Sequence, residues 1–363
     1  MPTSPAPTTT AATALPSLPP ADLAHRVLAS MDLAQRVGQL LMIDNPTTSV
    51  SSTTVAAVQH QHVGAVILDG NSLAGLAVTR GVTSSLENAN PSRAALFMAT
   101  DQEGGQVQRL KGTGFTVIPS AAQQGRLAPA ALQGEATAWG RQLHDAGVNV
   151  DLGPVLDTVP AGFGSNPPIG NLEREYGHSP AAVTSHGLAF AAGLRAAGVA
   201  ATAKHFPGLG RVRGNTDTTA GVTDAVTTAA DPYLAPFEAA VKAGVPFVMM
   251  STAVYTKIDP KNPAAFSSRI VTGLLRGTLG YDGVVISDDL GQAKQVAAWP
   301  IGDRAVNFIA AGGDMVLTVD ASQAPAMASA LIDRAQRDPA FRAQVDAAAL
   351  RVLEAKQAQG LLS

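Results

Sequence analysis

Gly198-Val199-Ala200-Ala201-Thr202-Ala203-Lys204-His205-Phe206-Pro207-Gly208-Leu209-Gly210 is the stretch on which the fold turns. Gly198 to Ala203 is a short apolar run that reads as a buried strand. It ends abruptly in Lys204 and His205 and then breaks into a Pro/Gly loop. Two polar side chains at the end of a buried strand are costly unless they face a site. In a parallel α/β protein, the C-terminal ends of the strands are where chemistry is placed.

Seven further apolar runs resemble this one: Leu40–Ile43, Ala65–Leu68, Ala95–Ala99, Val148–Leu152, Pro246–Met250, Val284–Ile286 and Met315–Leu317. Helical patterns separate them. Gly147, Gly198, Gly244 and Gly313 stand where a helix hands over to a strand, the composition of an αβ loop. Asp231-Pro232 reads as an N-cap with a first-turn proline, followed by Leu234, Phe237 and Val241 at helical spacing. Eight βα units of about 40 residues each predict an α/β fold, a single-domain (β/α)8 TIM-type barrel. A doubly wound open sheet is the alternative, and no GxGxxG turn follows the first run to support it.

The ends of these runs are uneven. Asp44, Asp69, Asp101, Asp151 with Asp157, Lys204-His205, Ser251, Ser287-Asp288-Asp289 and Asp320 follow the C-terminal ends. Almost nothing polar precedes the N-terminal ends. Solvent exit alone would make both ends polar, so the asymmetry points to a catalytic rim.

Composition narrows the function. The 363 residues are 46% hydrophobic with a formal net charge of −3. That balance gives no electrostatic footprint for nucleic acid. No apolar run reaches the roughly 18 residues of a membrane helix. There is no cysteine, which excludes disulfides, thiol catalysis and Cys-ligated metal. Residues 1–20 hold Pro, Ser, Thr and Ala without a charged side chain. They read as a disordered spacer ahead of a folded domain at 21–363. A Pro/Thr-rich neutral stalk of this kind predicts a secreted or cell-surface tethered protein, with a signal segment already removed. A monomer is expected.

The rim chemistry suits a polyhydroxylated substrate. Carboxylates accept hydrogen bonds from neighbouring hydroxyls, and Lys or Arg donates to hydroxyl or acyl oxygens. Sugar hydrolysis also needs a carboxylate at the oxocarbenium-like centre, which Asp288 or Asp289 could supply. Neighbours on a strand point to opposite faces, so only one of these two enters a barrel mouth. His60 and His62 read as surface histidines, there is no HExxH, and neither metal nor cofactor is expected. An imine role for Lys204 would need a depressed pKa, whereas an acidic rim raises it.

Five segments, in order, resemble glycoside hydrolase family 3, in particular its single-barrel β-N-acetylglucosaminidases of the NagZ type. They are Asp101-Gln102-Glu103-Gly104-Gly105-Gln106-Val107-Gln108-Arg109-Leu110, Asp151-Leu152-Gly153-Pro154-Val155-Leu156-Asp157, Asn171-Leu172-Glu173-Arg174-Glu175-Tyr176-Gly177, Lys204-His205-Phe206-Pro207-Gly208 and Val284-Val285-Ile286-Ser287-Asp288-Asp289-Leu290. The resemblance spans roughly residues 33–353. It implies a retaining β-N-acetylhexosaminidase that acts on a small saccharide or cell-wall glycan through a covalent glycosyl-Asp intermediate. Asp288 takes the place of the nucleophile. Asp101, Arg109, Arg174, Lys204 and His205 would line the sugar site.

One loop departs from the family. Its members carry an Asp-Ser-His triplet in which the histidine is the acid/base, whereas this chain has Asn215-Thr216-Asp217. Leu209 also replaces a histidine. Asp217 is the expected acid/base, with Asn215 orienting it. Glu175 or Asp224 could serve instead. A β-glucosidase-like enzyme, or a sugar-binding surface lipoprotein with impaired catalysis, is the alternative function.

Overall fold

The structure is a computed structural model that describes residues 21–363; the 1–20 spacer expectation lies outside the described residues. All eight apolar runs become barrel strands. They are β1 Leu41–Pro46, β2 Ala65–Asp69, β3 Phe97–Thr100, β4 Val150–Asp151, β5 Ala200–Phe206, β6 Phe247–Met250, β7 Val284–Asp289 and β8 Met315–Thr318. Every neighbouring pair is parallel, and β1 pairs with both β2 and β8, which closes the barrel. This is the predicted (β/α)8 architecture. Two-sided burial explains why the strands read as unbroken apolar runs.

Strand parity divides the core in two. Met42, Ile67, Ala99, Ala200, Met249, Val284, Ile286 and Met315 fill the barrel interior, where Phe97 and Phe247 meet edge to face at 5.1 Å. The alternate residues, such as Val66, Leu68, Ala201, Ala203 and Val285, pack outward beneath the helices. This is the period-two alternation of a pleated strand.

The helix-to-strand turns follow the glycine reading with one correction. Gly147, Gly198 and Gly244 have φ of 78°, 78° and 71°, but at the fourth turn the left-handed residue is Gly312 (φ 106°), not Gly313. Gly313 is needed for a different reason: a Cβ there would lie 2.3 Å from the Phe308 ring. Asp231 caps the turn Pro232–Leu234 by accepting from the Tyr233 amide, and helix Ala235–Lys242 follows.

The N-terminal end of the barrel is not free of polar groups. Asp314, just before β8, is buried between Arg276 and Arg351 and also accepts from the Val285 amide. Asn149, just before β4, accepts from the Met98 amide and donates to the Leu96 carbonyl. Both side chains tie neighbouring strands and helices together, so the polarity there is structural. Among the described residues no helix is long and apolar enough to cross a membrane.

Candidate active site

Two irregularities in strand pairing shape the mouth. Between β5 and β6, Lys204 pairs with Met249 and Phe206 with Met250, so His205 is an extra residue. A bulge of this kind re-aims side chains and reverses the parity beyond it. Lys204 shares the inward parity of Ala200, while Phe206 turns outward onto Phe237 at 5.3 Å. The peptide between Lys204 and His205 is cis. Between β7 and β8 the register slips again from Ile286 to Asp289. Val284 and Ile286 point inward; beyond the slip, Asp288 lies within reach of the charges of His205, Lys204 and Asp217, which places it in the mouth. Asp289 turns away and accepts from the amides of Gly291, Gln292 and Val319. It is a loop cap.

Lys204 lies at the floor of the mouth, 2% exposed, with Nζ 2.6 Å from Asp101 Oδ1 and 2.6 Å from Glu103 Oε1. Arg174 donates to both oxygens of Glu103 at 2.8 and 2.7 Å, and its remaining amino group donates to the Pro168 carbonyl. Burial alone would push Glu103 upward, but Arg174 and Lys204 outweigh it and hold the carboxyl at about 2. Burial likewise opposes the charge on Lys204, and Asp101 and Glu103 outweigh it, so its pKa is raised. The amine is held as a cation and donates hydrogen bonds. A buried charge stripped of its partner costs about 3–5 kcal/mol, which makes these residues one unit. Asp101 keeps part of its carboxylate open to the mouth.

His205 is fixed from below. Its Nδ1–H donates to Asp157 Oδ2 at 2.7 Å, while Asp157 Oδ1 accepts from the amides of His205 and Leu209 at 3.2 and 2.6 Å. That bond selects the tautomer and leaves Nε2 for a ligand. Beneath Asp101 and Lys204, Asp151 accepts from the Gln102 amide at 3.0 Å, and its other oxygen has no partner. Burial pushes this carboxyl up to about 7.

The departing loop is anchored at both ends. Asn166 Nδ2 donates to the carbonyls of Leu209 and Val212, each at 2.9 Å. Gly210 admits no side chain, because a Cβ there would lie 1.9 Å from the Thr158 carbonyl oxygen. Further on, the Gln295 and Lys294 amides donate to the carbonyls of Thr216 and Asp217. The segment that follows β7 therefore pins Asp217 beside Asp288. Asn215 accepts from the Asp217 amide at 2.9 Å. It orients the backbone of Asp217 through an Asx turn, not the carboxyl group itself.

Both carboxyls are perturbed. Burial against the mouth wall and then the nearby Asp288 charge push Asp217 up to about 6, with His205 and Arg174 opposing. Asp217 as a whole residue is nonetheless exposed, so the direction of its shift is firmer than its size. Burial also raises Asp288, offset in part by His205 and by the Asp289 amide.

The structure thus brings together Asp101, Arg174, Lys204, His205, Asp217 and Asp288. Arg109 stands apart from this group. Its amide donates to the Asp101 carbonyl, but its guanidinium faces Asp69 at 3.7 Å and Asn71 at 3.5 Å. The charges facing Glu175 are His178 and Glu173. Asp224 is taken up by the amides of Val226 and Thr227. No charge of the mouth is among the groups that act on Glu175, and one of its carboxylate oxygens is buried without a partner among the described residues. Glu103 was missed as a site residue, although it stands two positions after Asp101 in the same motif. Asn166 gave no sequence signal. Among the described residues no cluster of three His, Cys, Asp or Glu side chains could hold a metal.

A closed parallel barrel whose C-terminal mouth joins a charged hydroxyl-binding floor to two perturbed carboxyls is the framework of a barrel glycosidase. The glycosyl hydrolase family 3 N terminal domain matches residues 32–355, and the chain belongs to this family of glycoside hydrolases. A β-N-acetylhexosaminidase from Beutenbergia cavernae is 51% identical, covers 90% of this chain and 99% of its own, and superposes with a TM-score of 0.89. A family 3 β-N-acetylglucosaminidase from Paenibacillus sp. is 31% identical over 92% of this chain and 63% of its own, with a TM-score of 0.84. A β-hexosaminidase from Bordetella parapertussis is 34% identical over 304 residues, 82% of this chain and 83% of that protein.

Proposed function

We propose that this protein is a retaining exo-β-N-acetylhexosaminidase that removes terminal β-linked N-acetylglucosamine from cell-wall or chitin-derived saccharides. The observation that carries the reading is the pair Asp288 and Asp217, both with raised pKa, above the Lys204–Asp101–Glu103–Arg174 floor. Two carboxyls in different surroundings suit a nucleophile and an acid/base. The names of the similar proteins support the N-acetylhexosamine choice.

In this mechanism Asp101 accepts from sugar hydroxyls, and Lys204, Arg174 and His205 Nε2 fix the ring. The Asp288 carboxylate attacks the anomeric carbon as Asp217 gives its proton to the departing glycosidic oxygen. The glycosyl ester on Asp288 is then opened by water, whose proton returns to Asp217.

The mechanism fixes a pH profile. Asp217 must be protonated at the start of the cycle and Asp288 ionised. Activity should fall as pH rises through about 6, where Asp217 loses its proton. It should fall again at low pH, as Asp288 gains one. The two limbs belong to the pair as a whole. A kcat/KM profile for an aryl glycoside with a poor leaving group tests this. In Asp217→Asn the alkaline limb should vanish; a limb that persists there would reject Asp217.

Residues 1–20, neutral and rich in Pro, Ser and Thr, support a secreted or surface-tethered placement. Fractionation of the native cells, with antibody detection, is expected to find the protein in the envelope or medium. Recovery in the cytosol alone would reject this.

A further inference from the structure

Asp217 and Asp288 stand on different loops, and the side chain of Gln295 ties those loops together. Gln295 lies in the short turn Lys294–Val296, downstream of Asp288, and is 7% exposed. Its side-chain amide pairs with both main-chain groups of Val222. Oε1 accepts from the Val222 amide at 2.8 Å, and Nε2 donates to the Val222 carbonyl at 3.1 Å. Its own main-chain amide donates to the Thr216 carbonyl at 3.0 Å, and the Lys294 amide donates to the Asp217 carbonyl at 3.1 Å. Gln295 thus grips the departing loop both before and after Asp217.

The segment that carries Gln295 is itself braced. Asp289 accepts from the amides of Gly291 and Gln292. The buried Arg304 donates to the carbonyls of Leu290 and Gly291 at 2.7 and 2.8 Å, and to the Trp299 carbonyl at 2.8 Å. One guanidinium therefore holds both ends of the segment. Val222 is fixed from its far side too: its carbonyl accepts from the Val254 amide at 3.1 Å, and Thr223–Asp224 pairs in parallel with Val254–Tyr255. A continuous path of hydrogen bonds runs from Asp289, next to Asp288, to the main chain around Asp217.

The residue type suits the task. A peptide unit offers a donor and an acceptor, and a side-chain amide answers both in one plane. Charge cannot replace this grip. Asp288 and Asp101 oppose ionisation of Asp217, while His205 and Arg174 favour it, so the electrostatic pull on the loop changes with the state of the carboxyls. The bonds to Val222 and Thr216 do not.

We propose that Gln295 is a positioning residue for proton transfer, which grips Thr216 and Val222 and so holds the Asp217 carboxyl in register with Asp288. This rests on the acid/base reading of Asp217 and deepens it. A displacement of about 1 Å in a reacting group can cost about a hundredfold.

The test uses Gln295→Met, which keeps the length of the side chain and removes both of its bonds, and Gln295→Glu, which still accepts from the Val222 amide. Turnover of aryl β-N-acetylglucosaminides with a poor and with an activated leaving group is measured well below the unfolding temperature. Gln295→Met should lower kcat on the poor leaving group about ten- to a hundredfold and on the activated one less than about threefold. Gln295→Glu should fall between wild type and Gln295→Met, and it carries the same comparison if Gln295→Met does not fold. A loosened Asp217 carboxyl loses part of its burial and of the Asp288 charge, so the alkaline limb of the pH profile should move to lower pH. Added to Asp217→Ala, Gln295→Met should cost less than about threefold on the poor leaving group. An equal loss on both leaving groups overturns the proposal, as does a loss that is undiminished in the Asp217→Ala background. If Asp217→Ala itself shows no leaving-group dependence, the acid/base reading fails and this inference falls with it. A selective loss in Asp217→Ala beside an unselective one in Gln295→Met overturns the positioning role alone.

Discussion

Asp288→Asn is expected to lower kcat on aryl β-N-acetylglucosaminides by about a thousandfold or more, with the fold and sugar binding retained. The substitution keeps the size of the side chain and removes the attacking charge. Asp288 contacts its surroundings mainly through the Asp289 amide, which the Asn carbonyl oxygen can still accept from. The floor of Lys204, Asp101, Glu103 and Arg174 does not depend on it for charge balance. Thermal unfolding should therefore stay close to wild type while turnover collapses. Wild-type turnover no faster than that of Asp288→Asn would end the hydrolase reading. A slow wild-type rate abolished in the variant would keep it. Trapping the glycosyl ester, with mass spectrometry of the peptide that carries Asp288, would test the covalent step directly.

The second large effect concerns the acid/base. Asp217→Ala should cost about 10²- to 10⁴-fold on substrates whose leaving group needs a proton, and much less on activated aryl glycosides. The contrast between substrates is the signature, because a misfolded loop would harm both alike. The geometry favours a selective loss: the loop is held by main-chain bonds from Gln295 and Lys294 and by the Asn166 clamp, none of which uses the Asp217 carboxyl. An Asp217→Ala variant unimpaired on a poor leaving group would assign the proton transfer elsewhere. His205 Nε2 is one titratable group that its hydrogen bonds leave facing the mouth.

The departure from the family then has a physical reading. Where the resemblance to the family implies a histidine, this chain has a carboxyl beside a second carboxyl. An aspartate in water has a pKa near 4 and is a poor acid at neutral pH. Burial on the wall and the Asp288 charge move Asp217 to about 6, close to the ordinary value of a histidine. Under the proposed mechanism, the replacement would change the residue and recover its titration range through burial and the neighbouring carboxylate. Part of that shift comes from the Asp288 charge, so the two groups titrate as a pair.

The barrel was legible because its strands are buried on both faces. Each becomes an unbroken apolar run, and polarity reappears where the run meets the mouth. The signal weakened where local rules compete with packing. Gly313 looked like a helix-ending glycine, but Gly312 takes the left-handed turn while Gly313 makes room for Phe308. Polar residues at the N-terminal end were underestimated because Asp314 is paired through Arg276 and Arg351, residues far from it in sequence.

The candidate site divides along the same line. Residue types and their order singled out Lys204, His205, Asp101 and the Asp288-Asp289 pair, because charged groups at the ends of buried strands need a local reason; Arg174 came only from the resemblance to the family. Which of two adjacent aspartates enters the mouth was open in the sequence, since alternation fixes relative and not absolute facing. Loop amides claim Asp289, and Asp288 is the one set among His205, Lys204 and Asp217. The extra residue at His205 could not be counted from one strand, because a bulge exists only relative to its partner. Glu103 became the centre of the floor through Arg174, 71 residues away. Arg109, grouped with the others by motif, was drawn to Asp69 by the neighbouring strand. The sequence by itself determined the eight runs, the polar end of the barrel and the residue types available there. The tertiary structure decided which of them face one another, because register, bulges and long-range ion pairs are properties of two segments at once.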